Sequence, residues 1–277
     1  MKKILSVMAM VIALTLMCSH INAQEAFTMK YNFKEGKAYK TITKVCTTTT
    51  QSMMGQEMKF DVNLDIQSDM NVTKVDPNGN TTMVINVKGN TEMNLPEAAG
   101  GKKSEAFTNE AINATFASNG QSVNQTMVDK DGKNVTTVKD YIKLTELPKK
   151  AVKAGDTWQD KRVDTVANAA SPLAVITTTD TKYTVVGKEV VNGVELFKIS
   201  YDGTMEITGK GSQMGMEMIM EGTGVTKGFY YYNPAISIVI GAESLIEMNT
   251  NINVSGPQSM TIPMTQTIKV TSNTEAL

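Results

Sequence analysis

From Met58 to Val72, apolar Met58, Phe60, Val62, Leu64, Ile66, Met70 and Val72 are set off by polar Lys59, Asp61, Asn63, Asp65, Gln67, Asn71 and Thr73. That period of two fits one wet and one buried face of a β-strand, whereas a helix would spread the apolar residues around its circumference. The run closes on Asp76-Pro77-Asn78-Gly79-Asn80, a turn by composition, and Met83, Ile85 and Val87 continue as its partner strand. Similar signals fill the rest of the chain. Residues 39–50 are rich in threonine and valine, and residues 112–116 and 123–128 read as shorter strands around Asn119-Gly120. Residues 183–186 lead to Asn192-Gly193, and long alternating stretches cover 214–226, 236–254 and 260–270. The expected fold is all-β: long antiparallel strands and hairpins in two related, contacting halves, as curved sheets or half-barrels. At most one or two short helices are expected, with residues 139–147 as the candidate.

Several landmarks support the division into halves. Asn78-Gly79 recurs as Asn192-Gly193, Gly89 as Gly203 and Asn119 as Asn233, each at an offset of 114 (192 − 78, 203 − 89, 233 − 119). A turn followed by an aromatic residue also occurs twice, with Gly36 and Tyr39 in the first copy and Gly155 and Trp158 in the second. In both, glycine supplies the turn and the aromatic side chain anchors the strand that follows. These anchors give a signal peptide over 1–23, a first β half over 24–146 and a second over 147–277. Asp129-Lys130-Asp131-Gly132-Lys133-Asn134 lacks the later ligands of a calcium loop and reads as a hairpin turn.

Lys2 and Lys3 precede an apolar run through Met17, and Ile21-Asn22-Ala23 precedes Gln24, the pattern of a secretory signal cut after Ala23. Leu16-Met17-Cys18 offers an alternative, a lipoprotein site at Cys18. Either way the chain is exported, to the periplasm, the outer membrane or beyond. Removing residues 1–23 takes away His20 and Cys18, leaving no histidine, one cysteine (Cys46) and one arginine (Arg162). Histidine-based nucleophile pairs and histidine-ligated metals are thereby excluded. Cys46 is expected as a small buried strand residue. The remaining 25 basic and 28 acidic residues (27 − 2 and 28 − 0) are scattered, which disfavours nucleic acid as a partner. No later apolar run reaches membrane-spanning length.

The Leu147-to-Trp158 stretch, the matching entry at Phe33 to Tyr39, and Gly228-Phe229-Tyr230-Tyr231-Tyr232-Asn233-Pro234 together resemble a family of secreted or lipid-anchored Bacteroidota proteins, a domain of unknown function. The resemblance implies an envelope location and a β-rich fold, and it brings no catalytic residues or cofactor. The residues themselves point the same way, to a non-catalytic protein without cofactor or metal, since no acid is marked out as a glycosidase carboxylate and aromatics make up only 6% of the chain. An apolar, lipid-like ligand or an envelope protein partner is the expected binding target, through a sheet concavity or methionine-bearing hairpins. The candidate contacts are Met53, Met54, Met58, Met214, Met216, Met218, Met220, Met260 and Met264. The alternatives are an envelope scaffold and Cu(I) held by the thioethers of residues 214–220.

Overall fold

The computed structural model describes residues 25–53, 55–97, 100–108, 111–128, 134–137, 141–166, 173–213, 216–256 and 259–277. The expected signal peptide, residues 129–133 of the expected hairpin turn, Met54 and Met214 lie outside these residues. The strands are β1 (Ala38–Met53), β2 (Gln56–Val75), β3 (Thr81–Asn94), β4 (Lys102–Thr108), β5 (Ala111–Phe116), β6 (Ser122–Val128) and β7 (Asn134–Thr137), followed by β8 (Thr157–Val166), β9 (Leu173–Val191), β10 (Val194–Gln213), β11 (Met216–Asn233), β12 (Ile238–Ser255) and β13 (Met260–Ala276). All belong to one antiparallel sheet in the order β7-β6-β5-β3-β2-β1-β13-β12-β11-β10-β9-β8, with β4 continuing the β5 side of β3. The chain thus forms two meanders, β1–β7 and β8–β13, sewn together by the β1–β13 ladder from Tyr39↔Ala276 to Gln51↔Met264. Residues 141–147, the described part of the candidate helix, are extended coil. Ile142, Leu144 and Leu147 pack against the core cluster, and Pro148 stops any helical continuation.

The two faces of the sheet differ in chemistry. Lys40, Lys44, Asp61, Asp65 and Lys269 share the outer face, while Val45, Leu64, Ile66, Ile268 and Val270 share the inner one. On β8 to β11 the outer face also carries exposed apolar side chains, Val163, Ile176, Ile219 and Val225. Cys46 is exposed. It follows Val45 on β1, so strict alternation turns it outward with Lys44, against the expected burial. On β10 and β11, bulky inner residues face glycines across the ladder, as in Tyr201↔Gly228, Met205↔Gly224, Ile207↔Gly222 and Gly209↔Met220. A Cβ at Gly228 would lie 2.1 Å from the Glu243 carbonyl and 2.6 Å from the Tyr201 hydroxyl. The missing side chains let adjacent strands close tightly on the inner side, so the sheet coils there.

The core occupies one end of the coil and is completed by the segment that precedes β1. Met29, Tyr31 and Phe33 alternate into it and are each at most 6% exposed. They meet Tyr39, Met70, Met83, Ile85 and Ile112 from the first meander and Val185, Ile199, Tyr230 and Tyr232 from the second. This segment makes only scattered hydrogen bonds: Tyr31 N–H donates to Ser118 O, Asn32 N–H donates to Ser237 O, and the Tyr232 hydroxyl donates to Lys30 O. The paired glycine turns close identically. Gly36 N–H donates to Val72 O while Val72 N–H donates to Lys37 O, and Gly155 and Asp156 repeat the pattern around Val185. Gly36 and Gly155 have φ of 75° and 87°, a region that favours glycine. Tyr39 is buried, and Trp158 stacks on Tyr183 with ring centroids 5.1 Å apart.

Burial holds the Tyr31 and Tyr230 hydroxyls protonated well above their ordinary value of 10.0. As pH rises, the unfolded chain therefore releases these protons before the folded one does. Their contribution to stability is intact below about pH 10 and declines as pH climbs toward the folded values. Urea midpoints measured from about pH 9 to about pH 11 should fall, and Tyr31→Phe should flatten that slope. An unchanged slope would show that Tyr31 does not drive it.

Candidate ligand-binding site

Beside this core, the rolled sheet and residues 141–145 line a half-open cavity of about 460 Å³. Its floor is the inner face of β2, β1 and β13, where period-two alternation aligns Ile66, Ser68 and Met70 with Thr41 and Thr43 and with Ser272 and Thr274. Tyr31 and Phe33 close the core end, Val87 and Phe107 form one side, and Ile238 and Val239 add apolar wall. Phe107 rests over Gly89, where an added Cβ would lie 2.6 Å from its ring and 2.3 Å from the Asp65 carbonyl. A glycine at that point allows an aromatic side chain to lie flat on the sheet.

The roof is a strap, residues 141–147, spanning the two ends of the strand order. On the β6 side, buried Gln125 mimics a backbone pairing: its amide nitrogen donates to Ile142 O at 2.6 Å, and its amide oxygen accepts from Ile142 N–H at 2.8 Å. On the β8 side, Lys143 pairs with Asp164, and Glu146 lies 3.6 Å from Arg162. Arg162 also pairs with Asp160. Although burial opposes its charge, these two carboxylates raise its pKa on balance. Between these anchors the Tyr31 hydroxyl donates to Thr145 O at 3.0 Å, and Leu147 N–H donates to Asn119 O at 2.8 Å. Neighbouring residues of one segment thus touch both β6 and β8, bridging strands from opposite ends of the order.

The candidate methionines lie elsewhere on the same inner face. Met58, Met216, Met218, Met220, Met260 and Met264 are half-buried, toward the hairpin ends of the long strands. Met58 and Met264 both face Gln51, and Met218 and Met260 both face Val254. Met53 ends β1, paired with Gln56. None of these methionines lines the 460 Å³ cavity, where Met70 supplies the thioether. Met218 and Met220 are flanked by Val254, Ile252, Gly211 and Gly209, none of which offers a soft donor for Cu(I). The cavity's serines and threonines went unnoticed in the sequence; the signal was present in Thr41/Thr43 and Ser272/Thr274, pairs two residues apart.

No family model and no curated protein matches the chain. Among solved structures it is similar to Pseudomonas aeruginosa OccK7 (OpdD), with 7% identity over 87% of this chain and 100% of that one at a TM-score of 0.31. Acinetobacter baumannii OccAB4 follows at 6% identity, 93% and 100% coverage and a TM-score of 0.26. The COG4313 outer membrane channel from Pseudomonas putida F1 gives 9% identity, 86% and 96% coverage and 0.24. Scores of this size reflect long antiparallel strands and carry no functional assignment.

Proposed function

We propose that this is an exported, non-catalytic envelope protein that binds a lipid-like ligand between the strap and the inner face of the sheet. The observation that carries this reading is the 460 Å³ cavity with Phe33, Ile66, Met70, Phe107, Ile142 and Leu144 in its lining. Its volume falls within the range of roughly 300–1,000 Å³ found for small-molecule sites. The inner face continues beyond the cavity through half-buried Leu64, Val62 and Phe60 on β2 and Val270 and Ile268 on β13, giving an acyl chain a path toward the methionine-bearing hairpins. A non-catalytic role fits a mature chain without histidine, whose single cysteine faces outward.

Titration of the exported protein with a fluorescent fatty-acyl probe tests the reading. Saturable one-to-one binding, displaced by unlabelled lipid, is expected. Thr43→Trp, which fills the floor, should abolish it while leaving the β circular-dichroism spectrum unchanged. No binding by the wild type, or undiminished binding by a folded Thr43→Trp variant, would remove the cavity as the site. A stable co-purifying protein in its place would favour the scaffold alternative.

A further inference from the structure

We propose that the ligand carries an uncharged polyol headgroup, such as a glycerol or sugar, which rests on a floor of side-chain hydroxyls. This deepens the cavity reading above and depends on it.

The floor places five hydroxyls on three adjacent strands in two rows. Ser68, Thr41 and Thr274 face one another across β2, β1 and β13, and Thr43 faces Ser272 one step further along. With strands about 4.8 Å apart and same-face residues about 7 Å apart, the patch measures roughly 10 Å by 7 Å. Strand propensity accounts for threonine here but not for Ser68 or Ser272, because serine is not β-branched and gains little from the pleated surface. Thr41 and Thr274 satisfy each other at 2.9 Å. Thr43, Ser68 and Ser272 have no side-chain partner among the described residues and are half-buried. A bare hydrocarbon laid over them would strip their water and return no hydrogen bond, which disfavours a purely apolar ligand.

The charges among the described lining residues disfavour the other common headgroups. Among the described lining residues Lys143 is the one lysine or arginine, and Asp164 already engages it. A carboxylate or phosphate on this floor would therefore be desolvated without a free counter-charge. A cation would find hydroxyls and aromatic rings but no carboxylate among the described lining residues. A neutral group with several donors and acceptors fits, because each serine and threonine hydroxyl can both donate and accept. The apolar walls, Phe33, Phe107, Leu144 and Val239, then receive the chain attached to it.

The test ranks ligands of one chain length by displacement of the acyl probe from the full exported protein: monolauroylglycerol, dodecyl glucoside, dodecanoate and dodecane. At least one polyol-headed ligand should bind about tenfold tighter than dodecanoate and dodecane, the advantage of one or two net hydrogen bonds. The glycerol and glucoside arms distinguish the two sources of that chemistry. The combined substitutions Thr43→Val, Ser68→Ala and Ser272→Ala should erase the preference while retaining dodecane binding. Should that variant fail to fold, Ser272→Ala alone should still reduce the preference measurably, and the wild-type ranking stands without any variant. Equal binding of all four, or preference for dodecanoate, overturns the headgroup assignment while leaving the apolar cavity in place. Binding of none removes both readings.

Discussion

Phe33→Ala should destabilise the protein by about 3–5 kcal/mol, the usual cost of truncating a fully buried phenylalanine. Phe33 is 3% exposed, lies parallel to Tyr31 with ring centroids 5.3 Å apart, and meets Tyr39 edge-on at 5.0 Å. The effect should be large because no neighbour can collapse into the space. The surrounding side chains stand on strands fixed by long ladders, while the segment carrying Phe33 is held by isolated hydrogen bonds. Losing the ring should therefore also loosen Met29 and Tyr31 and open the core end of the cavity. A urea titration measures this directly. A loss below about 1 kcal/mol would mean the segment that precedes β1 merely rests on the sheet and does not complete its core.

Gln125→Leu should release the strap. The substitution conserves volume but leaves the N–H and C=O of Ile142 without their partners, at about 1–3 kcal/mol for each buried group. Hydrogen exchange of residues 142–147 should accelerate by at least roughly 30-fold, the factor set by about 2 kcal/mol. Exchange across the β1–β13 ladder should change little. Lys143→Ala and Glu146→Ala should have small effects by comparison, since both ion pairs are partly exposed and such pairs contribute about 0–1 kcal/mol. Equal protection of the strap in wild type and Gln125→Leu would show that side chains other than Gln125 hold it. On the proposed function, the same variant should also bind and release the acyl probe faster.

The strands were legible because their alternation is strict. Met58 to Val72, with the Asp76–Asn80 turn and Met83 to Val87, became β2, a two-strand corner and β3 as the period required. Residues 141–147 misled because Tyr141, Ile142, Leu144 and Leu147 fall near helical spacing, yet the backbone there bonds to Gln125, Tyr31 and Asn119 and the side chains face one cavity and core. Cys46 was misplaced by residue type, whereas its parity with Lys44 gives the outward face. The cavity was out of reach for a different reason. It depends on Gln125 meeting Ile142 and on β1 meeting β13, and no local pattern encodes contacts between residues so far apart in the chain. The methionines stood out by composition, but they extend along an inner face whose cavity beside the core is floored by serine and threonine.

Native mass spectrometry of the protein, purified without detergent and then incubated with monolauroylglycerol, tests the central claim most directly. One neutral lipid per polypeptide is the expected result, as a retained or added mass that a folded Thr43→Trp variant does not show. A wild-type spectrum containing only the bare polypeptide, before and after incubation, would contradict the claim.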